Sequence, residues 1–529
     1  MRTALLLLLA ACATDPTYSG EVRAIVDAHC VSCHVPGGAA PFPMTTYEEV
    51  RTVGRLAVTS MAAGRMPPWS ADPDCRDVVD ARVLDPGALA TFQAWVDADM
   101  PEGDPTDPLT WSPPPFDADL TFEPASGFVP TFEVGDAYRC IPLGTVEDDL
   151  YLSATQVLPG SPLVHHVLVY ALTPEQTVAM QARDAADPDV GYSCFGGPIA
   201  TESGGSEGGL PRQIGAWVPG APPQVFPDGV GQRVEAGATL IMQVHYSAVA
   251  GEPVEDRTRV ALAVYDEAPD LLVEARPLPV MDLFVPAGAT EATATATFTN
   301  WRRTPMTVRT AAGHMHLLGR EISATVTHAD ATESCLMDLP AFDFDWQQAY
   351  VFDEPDWVTV QPGESITVTC SYDNADDDQP VVDGERLAPR DVHWGDGTLD
   401  EMCLVYLGLV EAYTPVPDAD AAPCEGMAAC AAACDDDDFA CLLACEATES
   451  CTSCLLESMA GCAFGSCLPQ TLAAETCLRS CGLQVTVLGG VLGDCLAATC
   501  PDASADLLGC ADGPLAAGTC DAPLASCGL

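Results

Sequence analysis

Residues 311–319 read AAGHMHLLG and residues 163–170 read LVHHVLVY. Together they hold four of the nine histidines in a chain of 529 residues. Both lie in short runs of alternating apolar and polar residues, the pattern of a β-strand with one buried face. On a strand, residues two apart share a face, so His314 and His316 project together with Met315 opposite. His165 and His166 are neighbours, and an ideal strand splays them apart. Both serve one metal only at a strand end or a bulge. His245, in IMQVHYS, sits on a third alternating run. Convergent imidazoles suit copper or zinc; the competing reading is a set of core histidines satisfied by hydrogen bonds.

Outward from these motifs, residues 118–413 read as β throughout. The runs ATLIMQVHYSAV, ATATATF, EISATVTH and ESITVTCSYD recur between Gly and Pro turns. That length accommodates two antiparallel β-sandwiches, at 118–275 and 276–413, better than one barrel. The expected fold is multidomain. Residues 20–105 carry apolar residues at helical spacing in YSGEVRAIVDAHC and PGALATFQAWVDADM, and form a small α-helical domain. Residues 106–117 form a Pro-rich linker.

Residues 424–529 differ again, with sixteen cysteines between Cys424 and Cys527. Cys430/Cys434, Cys441/Cys445 and Cys477/Cys481 have C-x3-C spacing, which puts both sulfurs on one helix face. Facing helices stapled by paired disulfides are expected. A metal–thiolate cluster is the rival, and secretion disfavours it. No catalytic constellation is visible there, so this region reads as a rigid stalk or interaction module.

The first residues, MRTALLLLLAACATDP, combine one Arg, a short apolar run and small residues. This is the pattern of a secretion signal, too short to span a bilayer. Leu9-Ala10-Ala11-Cys12 resembles a bacterial lipobox, which makes residues 1–19 a signal peptide with tether and Cys12 the lipidated residue. The expected location is the periplasm or cell surface of a bacterium, with membrane contact only through the lipid. The net charge of −56, without a single lysine, excludes nucleic acid as a partner, since like charges repel. The Asp runs at 376–378 and 435–438 read as solvated loops rather than calcium sites.

Export also makes disulfides the default for the 25 cysteines. Three stand apart. Besides Cys12, HCVSCH contains Cys30-Val-Ser-Cys33-His34, the C-x-x-C-H spacing that attaches haem c through two thioethers and ligates its iron through the histidine. A plain disulfide is the alternative. Twenty-two cysteines remain, an even number that permits full pairing. Met61 and Met66 are the candidate sixth ligands. GRMPPW resembles the distal-methionine loop of small c-type cytochromes, which selects Met66; the stretch as a whole resembles cytochrome-c-like modules of secreted bacterial proteins. His29, beside Cys30, reads as a surface residue.

VHHVLVY, QVHYS, HMHLLG and GTLDEMC occur in the order and at the approximate intervals of the copper type II, ascorbate-dependent monooxygenases. That family includes peptidylglycine α-hydroxylating monooxygenase and dopamine β-hydroxylase. The resemblance covers residues 118–413. It implies two jelly-roll sandwiches with one copper each. His165, His166 and His245 match the ligands of the electron-transfer copper; His314, His316 and Met402 match those of the copper where oxygen binds. A thioether such as Met402 is soft and favours Cu(I). Gln243 matches a glutamine of the family motif, and His393 a histidine upstream of the methionine. Cys370 and Cys403 match a disulfide bracing the methionine strand. Of Cys75, Cys140, Cys194 and Cys335, the one further pair expected is Cys140 with Cys194.

One departure bears on substrate. The peptide-amidating enzyme clamps a substrate carboxylate with an arginine, an asparagine and a tyrosine, at positions occupied here by Ala312, Leu404 and Tyr406. Only the tyrosine is retained, so an anionic substrate lacks its charge-assisted partner. The expectation is a copper-dependent monooxygenase with two coppers and haem c. It would use O2 and a one-electron reductant to hydroxylate a neutral or cationic small molecule, with the haem module replacing ascorbate. The alternative is a non-hydroxylating redox or copper-binding surface lipoprotein.

Overall fold

A computed structural model describes residues 15–36, 38, 40–112, 116–132, 136–194, 197–199, 211–247, 253–344, 346–375, 379–382, 385–395, 399–413, 424–434, 439–460, 462 and 466–529. Cys12 with its lipobox, and both Asp runs, lie outside the described residues. No described helix is long and apolar enough to cross a membrane.

The N-terminal module has three α-helices, α1 (Arg23–His29), α2 (Tyr47–Ala62) and α3 (Pro86–Asp97), with one π turn before α1. Local chemistry sets their starts. Thr46 and Glu49 form a reciprocal capping box at α2, and Asp85 caps α3 ahead of Pro86 in its first turn. Trp95, Phe92, Tyr18 and Val50 fill the core between them. Gly54 lets α2 pack closely on α3: a Cβ there would lie 3.3 Å from Trp95 Cζ3 and 2.9 Å from Met100 Sδ, just past α3.

The β region runs in chain order as β1 (Leu120–Phe122), β2 (Asp136–Thr145), β3 (Leu150–Leu158), β4 (Val164–Leu172), then helix α4 (Pro174–Ala186), then β5 (Tyr192–Ser193), β6 (Arg212–Trp217), β7 (Gln224–Val225), β8 (Val230–Val234), β9 (Thr239–Ser247) and β10 (Arg259–Tyr265). It continues with β11 (Leu271–Pro279), β12 (Phe284–Val285), β13 (Ala292–Thr299), β14 (Met306–His314), β15 (Gly319–Thr327), β16 (Glu333–Leu339), β17 (Tyr350–Val351), β18 (Val358–Val360), β19 (Ser365–Tyr372), β20 (Val381–Val382), β21 (Glu385–Arg386), β22 (Val392–His393) and β23 (Leu404–Ala412). A five-stranded sheet, β5-β2-β9-β4-β6, encloses the first core; a four-stranded sheet, β13-β19-β15-β16, encloses the second.

One ten-stranded sheet backs both cores, in the order β1-β10-β3-β8-β11-β23-β14-β17, with β7 and β18 on its flanks. Strand β11 joins the halves. Its first two residues pair in parallel with β8, and its whole length pairs antiparallel with β23. Residues 275 and 276, the expected boundary between sandwiches, lie inside this strand. The two halves therefore share a backbone hydrogen-bond ladder and are not beads on a linker. Arg309 adds a side-chain tie. It is 3% exposed, donates from Nη2 to Val225 O at 3.0 Å and lies over the Phe226 ring. Burial pulls its pKa down to about 10.

The segment after α2 straps the helical module to the second sandwich. Cys75 is bonded to Cys335, Asp72 N donates to Asp338 O, and Val79 N donates to Val351 O. Trp69 stands edge-on to Tyr350 at 5.3 Å.

The cysteine-rich region is helical, with α5 (Glu425–Ala431), α6 (Phe439–Leu443), α7 (Glu449–Met459), α8 (Leu468–Ala473), α9 (Glu475–Leu488), α10 (Leu492–Thr499), α11 (Pro501–Ala516) and α12 (Asp521–Cys527). The C-x3-C pairs staple facing helices as expected: Cys430–Cys445 nests around Cys434–Cys441, and Cys477–Cys500 around Cys481–Cys495. The region is not a detached stalk. Val487 and Leu488 enter the core of the second sandwich, and Gln484 Oε1 accepts from Thr299 N and Trp301 Nε1, both at 3.0 Å.

Candidate metal centres

The first cluster is built on three adjacent strands. Tyr138 on β2 stands opposite His245 on β9, which stands opposite His166 on β4. The β4–β9 register shifts between Val164 and His166, so His165 is an extra residue in the ladder. This bulge resolves the problem of adjacent histidines: it turns His165 toward the face His166 already occupies. His245 Nδ1 lies 3.2 Å from His165 Nδ1 and 3.1 Å from His166 Nδ1. Nitrogens each about 2.0 Å from one tetrahedral ion stand about 3.3 Å apart, so the donor set fits a single metal. Tyr138 stacks on His245 at 4.3 Å with the rings 2° from parallel, which fixes that imidazole's plane.

Burial, then the neighbouring His245, His165 and His314, hold His166 well below the ordinary histidine range. Each cause disfavours a proton and leaves a neutral ligand. That His314 contributes puts the second cluster within electrostatic reach of the first.

The second cluster forms where β14 ends. His314 is its last residue, Met315 is buried in the core, and the His314 and His316 rings lie 5.2 Å apart. The pair thus projects together, at the strand's end rather than along it. Gln347 Nε2 donates to Phe344 O, which turns Oε1 toward His314 Nδ1 at 2.6 Å. His316 Nδ1 donates to Asp400 O at 3.1 Å. Both acceptors place the imidazole proton on Nδ1 and the lone pair on Nε2, as a metal ligand requires.

Met402 is half-buried in the chain between two residues that touch this pair. Asp400 accepts from His316, and Leu404 pairs with His314 across β23 and β14. Glu401 is 0% exposed; its carboxylate accepts from His316 N at 2.9 Å and Leu318 N at 2.7 Å, tying the H-x-H loop to the methionine segment. Burial pushes this carboxyl up to about 7 against those N–H groups. Cys403 is bonded to Cys370, and Tyr372 Oη donates to Met402 O.

The remaining expected residues fall farther out. Gln243 is buried and donates to Cys194 O at 3.1 Å, bracing the Cys140–Cys194 disulfide rather than reaching the cluster. Tyr406 pairs with Ala312 across β23 and β14. His393 is exposed and stacks on Phe284 at 4.9 Å. Three contributors were not foreseen: Tyr138, Gln347 and Glu401. None of the three carried a local signal: Glu401 sits beside Asp400 in a polar stretch just ahead of β23.

In the helical module, Cys30 and Cys33 are the only free cysteines among the described residues; the other 22 form eleven disulfides. His34 Nδ1 donates to Phe42 O at 2.9 Å, leaving the lone pair on Nε2. Met61 is packed in the core, whereas Met66 is 43% exposed. Two unpaired thiols and an oriented imidazole fit haem c attachment.

Residues 281–432 match the model for "Copper type II ascorbate-dependent monooxygenase, C-terminal domain". The match supports the copper type II monooxygenase family. It spans His314, His316 and Met402, and through the family it supports an oxidoreductase that uses copper. The chain is also 27% identical over 294 residues to the Homo sapiens "Putative DBH-like monooxygenase protein 2", covering 51% of this chain and 52% of that relative. The chain thus spans about half the length of the curated relative it matches. Among solved structures, the major capsid protein P2 of bacteriophage PM2 aligns with 56% of this chain and 99% of its own, at 11% identity and a TM-score of 0.23. An infectious bursal disease virus structure (Gx strain) aligns with 56% and 73%, at 11% identity and a TM-score of 0.16. Likenesses this low carry no argument.

Proposed function

We propose that this chain is an exported copper-dependent monooxygenase that inserts an oxygen atom from O2 into a C–H bond of a neutral or cationic small molecule. Electrons come from a haem c held by Cys30, Cys33 and His34, with Met66 as distal ligand. The observation that carries this reading is a pair of histidine clusters, three converging imidazoles on β4 and β9 and two at the end of β14.

His165, His166 and His245 would hold one copper through three converging imidazoles. His314, His316 and Met402 would hold the other, with the thioether favouring its reduced state. Bound at these two places, copper would store the two electrons delivered one at a time by the reductant, which with two protons leave one oxygen atom in the product and release the other as water. The protein's part is orientation. The bulge and the Tyr138 stack fix the first ligand set. Gln347 and the Asp400 carbonyl keep protons on Nδ1 of His314 and His316. Glu401 anchors the loop between them.

Ala312 offers no charge for a substrate carboxylate, and the net charge of −56 repels anions, which supports a neutral or cationic substrate. The Tyr406 hydroxyl is the one polar group retained there. The leader sequence supports a bacterial lipoprotein anchored at Cys12 on the periplasmic or cell surface.

The test supplies copper-loaded protein with a reductant, isotopically labelled O2 and a panel of neutral and cationic small molecules. Labelled hydroxylated product is expected. Reductant-driven oxygen uptake that yields only peroxide across the panel would leave a non-hydroxylating redox protein instead.

A further inference from the structure

The loop bearing the C-x-x-C-H motif does not face solvent alone. Cys33 Sγ lies 3.6 Å from Pro219 O, in the turn that follows β6. Gly220 makes this approach possible: a Cβ there would lie 2.9 Å from Cys33 Sγ and 3.3 Å from Ser32 Oγ. The turn closes through Ala221 N donating to Val218 O at 2.9 Å. It is also the direct continuation of Trp217, which pairs with Val167 on β4, next to His166. A short path therefore runs from Cys33, across one close contact to Pro219 O, then along the turn and the hydrogen-bonded β6–β4 ladder to the first histidine cluster. Electron tunnelling falls off steeply across gaps and more gently along bonds, so such a seam is where transfer is fastest.

We propose that the turn at residues 218–221 is the electron port of this protein, connecting haem c on Cys30 and Cys33 to the copper held by His165, His166 and His245. The inference rests on the function proposed above. The step is a single electron: ferrous haem becomes ferric, copper(II) becomes copper(I), and no bond or proton is exchanged. A second contact points elsewhere. Arg82 lies over the Trp346 ring at 5.7 Å, beside Gln347 and hence His314. The port assigns the first cluster, not the second, as the entry point.

The experiment is anaerobic rapid mixing of reduced-haem protein with copper(II), read by haem absorbance and by loss of the copper(II) paramagnetic signal. A His316→Ala background removes the second cluster as an acceptor. Gly220→Ala should slow haem reoxidation roughly tenfold, equivalent to about 1.4 kcal/mol in the barrier. Gly229→Ala is the control: it has a similar positive φ, 78° against 74° at Gly220, but nothing within 4 Å of the added Cβ. Ser32→Leu pushes the seam open from the other side and decides the same question should Gly220→Ala not fold. Equal rates in wild type, Gly220→Ala and Ser32→Leu overturn the port and leave the proposed function standing. No haem reoxidation even in wild type overturns the haem as donor, and the port with it.

Discussion

The two histidine clusters are assembled by different means. The first is built within the sheet itself: three neighbouring strands line up Tyr138, His245 and His166, and one bulge adds His165. The second is built at a strand end from two imidazoles, each oriented by a hydrogen bond from outside its own strand. Under the proposed function, the crowded set of three imidazoles would hold the copper that exchanges electrons. A pair oriented by its surroundings, with a soft thioether near by, leaves coordination positions for reacting molecules. Under the proposed function, that difference would give one β architecture two roles.

That contrast can be broken by substitution. The largest effect is expected for His166→Ala, which should empty the first cluster of copper, leave the second loaded and abolish multiple turnover. Metal analysis with steady-state product formation checks it. Retained turnover would remove the electron-transfer role of the first cluster.

Next is Glu401→Ala. It strands two buried N–H groups, at His316 and Leu318, and should cost about 2–5 kcal/mol of unfolding free energy in metal-free protein, read by denaturant titration. Glu401→Gln keeps one acceptor oxygen but sets its NH2 against the other N–H, and should cost about half as much or somewhat more.

Gln347→Leu sharpens the comparison further. It frees the His314 tautomer and should weaken copper at the second cluster ten- to hundredfold, with the first cluster unchanged, by competitive chelator titration. Equal weakening at both sites would show that the clusters are not independently organised.

The smallest effect concerns the frame behind the first cluster. Arg139, next to Tyr138, makes a two-pronged pair with Asp187 and holds that carboxyl down at about 2. A carboxyl depressed in the folded state stabilises above its unfolded pKa of about 3.9, and that contribution is lost as pH falls through the folded value. With Asp187 one-fifth exposed, about 1–2 kcal/mol should disappear between roughly pH 4 and pH 2. Asp187→Asn should flatten that part of the stability–pH curve.

Much of this was legible in the residues. Alternation placed His165, His166, His245 and His314 on strands, while His316 falls just past the end of β14; the adjacency of His165 and His166 called for a strand end or a bulge. The C-x3-C spacing foretold stapled helices. What stayed hidden depends on long-range geometry. Gln347 lies 33 residues from His314 in a stretch without periodicity. The Cys75–Cys335 link spans 260 residues, and no local pattern encodes such a pairing. The sheet through β11 was hidden for a related reason: a strand shared by two cores shows the same alternation as one serving a single core.

The central claim is tested most directly by metal content. Protein made in a host that matures c-type cytochromes should contain copper at both clusters, by elemental analysis and paramagnetic resonance. His245→Ala should remove one copper and Met402→Ala the other. Stoichiometric zinc, or no bound metal after copper is supplied, would contradict the account and leave a disulfide-rich surface protein.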